Sequence, residues 1–139
     1  MNWKELVLFV CQGLNPPSLA DNIENVAEIY SIEKELILAV VHHESRCINT
    51  VVGSAGEIGL MQVSPVWHTQ RANSLGVNDL FDPRSNVLVG SDILNELKVQ
   101  SDPATALAIY NGGYTPPAQS LAYAKNVIVK YHTYKALQN

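Results

Sequence analysis

Apolar residues along this chain recur mostly at three- and four-residue intervals, the spacing that gathers them on one side of an α-helix. Ile23, Val26, Ala27 and Tyr30 follow that rhythm and predict a helix from Ser18 to Tyr30. Ser31 is then expected to cap a second helix, Ile32 to about Arg46, whose inner face carries Leu36, Val40 and their neighbours Ile37 and Val41. The rhythm stops between Gly53 and Pro65. Three glycines there (Gly53, Gly56, Gly59) separate the short apolar pieces Val51–Val52 and Leu60–Val63, a pattern that predicts an irregular β-hairpin. Helical spacing resumes at Pro65–Ser74 and at Pro83–Val99, where Val87, Leu94 and Leu97 share one side. Asp102-Pro103 supplies a cap and a first-turn proline for a short helix that stops at Asn111-Gly112-Gly113. After the break at Pro116-Pro117 a last helix runs from about Ala118 to Ala136. The expected class is α+β, predominantly α-helical, with one small β-hairpin.

The first thirteen residues resemble a secretion leader only superficially. The apolar stretch Leu6–Val10 is short, Glu5 interrupts the charged start, and no small-residue cleavage site follows. Either export uses another route or a leader has been removed. No run approaches membrane-spanning length, so no membrane insertion is expected. With 139 residues the chain is expected to form one domain, 1–139.

Charge narrows the partners. A formal net charge of −4 argues against a nucleic-acid binder, which normally carries a basic excess. The charge is uneven, however: beyond Pro103 there are three lysines (Lys125, Lys130, Lys135) and no acid. That is the composition of a solvated helix face, or of a weak foothold for an anionic polymer. Two cysteines, Cys11 and Cys47, are too few for a disulfide framework; either a single bridge outside the cytoplasm or two buried thiols would account for them.

Glu44 is the unusual residue. It continues the row Leu36, Val40, Glu44, which places a carboxylate on the face turned toward the core and in the last turn of its helix. Partial burial and the negative end of the helix dipole both disfavour the ionised form, so the acid should stay protonated toward neutral pH. That is the requirement for a general acid; an ordinary Glu reaching solvent at a helix end is the plainer alternative. His43-Glu44 begins an H-E-x-x-H pattern, but Cys47 stands at the fifth position, and no further ligand pair follows. Neither a metal nor a cofactor is expected. Tyr110 and Asn111, ahead of two glycines, suit either a polar groove rim or a helix cap.

Several segments together resemble one known family. Ala39-Val40-Val41-His42-His43-Glu44-Ser45-Arg46 resembles the helix motif of the soluble lytic transglycosylases, whose signature begins with Glu-Ser. Ser54-Ala55-Gly56-Glu57-Ile58-Gly59-Leu60-Met61-Gln62 is similar to the family's second motif, ending Gly-Leu-Met-Gln. The run Asp82-Pro83-Arg84-Ser85-Asn86, followed by Gly90, and the run Ala106-Leu107-Ala108-Ile109-Tyr110-Asn111-Gly112-Gly113 resemble the next two motifs. Tyr123 and Val127 fit the last. The matches keep the family's order from Ile37 to about Val127, within a motif-bearing core of about 31–136.

The resemblance implies a lysozyme-like fold and peptidoglycan glycan strands as partner. It further implies cleavage of the MurNAc–GlcNAc β-1,4 bond without water, leaving 1,6-anhydro-MurNAc ends. By that resemblance Glu44 is the catalytic acid and then base. Ser45 would hydrogen-bond substrate or orient Glu44. Met61 and Gln62 would line the cleft, Tyr110 would hold Glu44 or a reacting oxygen, and Asn111 and Tyr123 would shape the groove. Glu57 departs from the pattern as a second acid, read here as a solvated loop residue. Goose-type lysozymes carry an Asp after Gly-Leu-Met-Gln-Val, where this chain has Ser64, which favours transglycosylation. The rivals are a hydrolytic goose-type muramidase and a non-catalytic glycan-binding or structural part of a virion or secretion apparatus. A monomer acting on the cell wall, phage-encoded or delivered without a recognisable leader, is expected.

Overall fold

The computed structural model describes all 139 residues and contains seven helices: α1 (Trp3–Val10), α2 (Leu19–Tyr30), α3 (Lys34–Ser45), α4 (Pro65–Ser74), α5 (Pro83–Gln100), α6 (Pro103–Gly112) and α7 (Ala118–Leu137). α3 is the centre. Leu36 to Val41 are all buried, so this helix is apolar on every side rather than along the single expected stripe. It packs against α7 and α2, while α5 bridges α2 to α6 and α6 lies along α7.

Proline and aspartate set several helix starts. The carboxylates of Asp82 and Asp102 accept the backbone N–H groups of Ser85 and Thr105, and Pro83 and Pro103 follow as first-turn residues. Ser31 does not cap α3 as expected. It ends α2 in the left-handed region, and α3 begins after Glu33 without a side-chain cap.

The N-terminal stretch is a helix of the core. Asn2 and Glu5 form a reciprocal capping box for α1, and Trp3, Leu6, Val7 and Val10 are buried. The Trp3 indole N–H donates to the Ala20 carbonyl of α2 at 2.8 Å. Beyond α1, Cys11 forms a disulfide with Cys47, which resolves the choice left open by composition. Arg46 and Cys47 take positive φ values of 51° and 68°, turning the chain sharply after α3 and bringing the two cysteines within 5.6 Å, Cα to Cα. Closing a loop with a sequence separation of 36 stabilises the fold by roughly 3–4 kcal/mol in the chain-entropy picture.

The expected hairpin is not built from strands. Residues 51–63 form a turn-rich loop with two isolated antiparallel bridges, Val52 to Ile58 and Ile58 to Val63. The apolar pieces are too short for a ladder, so a side chain closes the segment instead. Asn86 of α5 is fully buried. Its amide donates to the carbonyls of Ile58 and Leu80, and its oxygen accepts the Met61 N–H, all at 2.8 Å. Gly59 (φ 76°) is needed beside it, because a Cβ there would stand 2.6 Å from the Asn86 amide nitrogen.

Candidate active site

The C-terminal turn of α3 and the loop pinned by Asn86 open onto a cleft of about 880 Å³. Glu44 lies in it, partly buried, as the row Leu36–Val40–Glu44 predicts. Its partner comes from α7, which packs along α3: the buried Tyr123 hydroxyl donates to Glu44 Oε2 at 2.9 Å. Behind Tyr123 the His43 ring meets it edge-on, with centroids 4.8 Å apart. Burial pushes the Glu44 carboxyl up to about 7; the Tyr123 hydrogen bond opposes this, and the nearby Glu57 charge adds to it. Burial also raises the Tyr123 hydroxyl well above its ordinary value, so it stays a donor.

The remaining expected site residues divide into those the fold brings to the cleft and those it does not. Gln62, Tyr110 and Asn111 line it. Gln62 takes a φ of 51°, which turns its side chain away from the core that receives Met61. Its amide nitrogen donates to the carbonyls of Val51 and Gly59, at 3.2 and 3.1 Å. Asn111 Oδ1 accepts the Ser120 hydroxyl at 2.8 Å, tying α6 to α7 at the rim.

Three expected roles need correction. Ser45 is buried and its hydroxyl donates to the Val41 carbonyl at 3.0 Å, one turn back, so it neither lines the cleft nor holds Glu44. Met61 is fully buried beneath α5 and is not a cleft wall. Gly90 makes room for it, since a Cβ there would lie 2.5 Å from the Met61 sulfur. What Met61 offers is its carbonyl, which accepts the Tyr110 hydroxyl at 2.7 Å. Tyr110 thus braces the loop, and the grip on Glu44 falls to Tyr123.

Other residues enter that the sequence reading placed elsewhere or passed over. Glu57, read as a solvated loop acid, is partly buried in the same cleft, its carboxylate accepting the Ala55 N–H at 2.9 Å. α4 contributes Trp67, His68 and Arg71, and the loop after α6 contributes Tyr114. Arg71 pairs with Asp92 and Glu96 of α5, fixing α4 in place, and Tyr30 of α2 donates to Asp92 at 2.9 Å. The lysines of α7 do not face this cleft: Lys135 pairs with Glu33 at 2.7 Å, and Lys130 sits 3.5 Å from His43 Nδ1. No group of three or more His, Cys, Asp or Glu side chains is arranged to hold a metal ion. No helix is long and apolar enough to cross a membrane.

The chain is similar to known proteins. A transglycosylase of Enterobacteria phage PRD1 is 36% identical over 85 residues, covering 60% of this chain and 31% of that protein. Membrane-bound lytic murein transglycosylase F of Desulfosudis oleivorans is 30% identical over 130 residues, covering 88% of this chain and 28% of its own length. The chain therefore spans less than a third of either relative. The 70-kDa soluble lytic transglycosylase of Escherichia coli superposes with a TM-score of 0.77 at 20% identity, over 91% of this chain and 25% of that structure, a likeness of fold. The model of the Transglycosylase SLT domain matches residues 21–132, from α2 through most of α7 and so across the whole cleft, and the chain belongs to that family.

Proposed function

We propose that this protein is a peptidoglycan lytic transglycosylase in which Glu44 performs both proton transfers. The observation that carries the reading is the geometry of Glu44, a partly buried carboxyl held by the Tyr123 hydroxyl at 2.9 Å in a cleft of about 880 Å³, where burial pushes it up to about 7. In its protonated form Glu44 donates to the glycosidic oxygen between MurNAc and GlcNAc, and the bond to MurNAc C1 breaks. The carboxylate so formed takes the proton from the MurNAc C6 hydroxyl, whose oxygen closes on C1. The product carries a 1,6-anhydro ring, no water is consumed, and Glu44 ends protonated as it began. Tyr123 holds the carboxylate oxygen that is not transferring the proton. Gln62 and Asn111 offer amides to the sugar, and Tyr110 keeps the loop beneath them in register. The protein is proposed to act as a monomer on the cell wall.

One observation favours a second reading. Glu57 shares the cleft with Glu44, and inverting glycosidases use a second carboxylate to activate water. Mass spectrometry of purified peptidoglycan digested by the wild-type protein separates the two. Anhydro-muropeptides, lighter by one water than reducing ones and absent with Glu44→Gln, are the expected products. Reducing muropeptides would overturn transglycosylation in favour of hydrolysis, and no soluble product from folded protein would overturn both.

A further inference from the structure

The chain has two tryptophans, and the fold treats them in opposite ways. Trp3 is 8% exposed and hydrogen-bonded, whereas Trp67 is 82% exposed on the cleft wall. Tyr114, on the loop between α6 and α7, lines the same cleft and is 71% exposed. Folding gains little from either ring. Trp67 sits in the first turn of α4, just before a kink at His68 (φ −125°, ψ 20°), and the part of α4 beyond the kink is fastened to α5 through Arg71, Asp92 and Glu96. The charges nearby select what could cover Trp67. Glu44, Glu57 and Glu96 line the cleft, and its one arginine is occupied by Asp92 and Glu96. With no lysine and no unpaired arginine in the lining, nothing draws an anionic ligand there. An uncharged pyranose ring would place its flat C–H face on the aromatic face and turn its hydroxyls toward Gln62 and Asn111.

We propose that Trp67 and Tyr114 are stacking platforms for uncharged pyranose rings of the glycan strand, gripping the sugars that flank the bond presented to Glu44. This rests on the glycan-cleaving reading above and adds where the strand is held. The contribution is to binding rather than to chemistry, so loss of either ring should raise KM and leave kcat much less affected.

The probe is chitopentaose, a neutral β-1,4-linked oligosaccharide, titrated into the Glu44→Gln protein. Tryptophan emission should shift to the blue and become shielded from acrylamide, because Trp67 is covered while Trp3 is already buried. In calorimetry, adding Trp67→Ala should weaken binding about tenfold, Tyr114→Ala somewhat less, and Trp67→Tyr should restore most of the loss. Thermal melting should be little changed, since both rings are exposed in the free protein. Chitopentaose binding that neither alanine variant weakens, or that leaves Trp67 emission unmoved, would overturn the proposal while anhydro products from the wild type left the underlying reading standing. Absence of both binding and anhydro products would overturn the two together.

Discussion

The two sides of the cleft are built on opposite principles. On the α3–α7 side the acid is enclosed: Glu44 is held by Tyr123, Tyr123 is packed against His43, and Leu36 to Val41 of α3 beneath are buried without a break. On the α4 side Trp67 and Val66 stand more than three-quarters exposed, and the helix is held by ion pairs rather than by a deep apolar face. The buried side sets a protonation state, which requires exclusion of water and a fixed partner. The exposed side is the one proposed above to hold the sugar rings. On the functions proposed above, proton transfer and ligand grip separate by burial, and substitutions on the two sides should fail differently.

The largest effect belongs to Glu44→Gln, which keeps the shape and removes the transferable proton. Turnover should fall by about a thousandfold or more, measured as release of muropeptides. The same variant should be more stable than wild type at alkaline pH. A carboxyl raised from 4.5 to about 7 is favoured in the native state only while protonated. As pH climbs from about 4.5 to 7 the unfolded chain loses that proton first, so wild-type stability falls relative to the variant. The gap should be absent near pH 4 and reach about 3 kcal/mol above pH 8 in denaturant titrations. A gap independent of pH would show that the Glu44 carboxyl is not buried as described.

Tyr123→Phe comes next, with an expected loss of about thirtyfold in kcat. Because the hydroxyl lowers the Glu44 pKa, its removal should also move the alkaline limb of the activity profile to higher pH. Lost activity without that displacement would make Tyr123 a packing residue only. Arg71→Met tests the other side. It breaks partly exposed ion pairs, so about 1 kcal/mol of stability and a several-fold rise in KM are expected, with kcat nearly kept. An equal fall in kcat would erase the contrast between the two sides. The smallest effect is expected of Glu57→Gln: activity within about threefold of wild type, with the alkaline limb displaced to lower pH because a like charge beside Glu44 is gone. A loss as deep as that of Glu44→Gln would assign Glu57 to the chemistry.

Local signals in the sequence hold where aspartate precedes proline and fail at Ser31, which ends α2 instead of capping α3. Asp82-Pro83 and Asp102-Pro103 mark the starts of α5 and α6, and Pro65 and Ser74 bound α4 as expected. The polar start of α1 also carries a local signal, Asn2 with Glu5 three residues later, ahead of the leader-like apolar stretch that follows. Glu44 was legible because a charged residue on an apolar row is a contradiction visible in one helix. Which tyrosine reaches it was not. That depends on how α7 and α6 are seated against α3, and no spacing within one helix records the contact between two. Met61 and Ser45 were misplaced for a related reason. Each lies beside a backbone reversal, at Gln62 and at Arg46, and one left-handed residue decides which of two neighbours faces the cleft. Trp67 and Tyr114 carry no pattern at all; only their exposure in the folded chain distinguishes them.

The Cys11–Cys47 bond has a topological result. It closes a covalent ring that contains all of α2 and α3, Glu44 included. A protease that cuts once anywhere between Gln12 and Arg46 opens the ring without dividing the molecule. The two fragments stay tied by a bond three residues from Glu44, and the covalent link is lost only if a reductant follows the cut. Resistance to losing a segment after a single cut is thereby built into the covalent connectivity around Glu44.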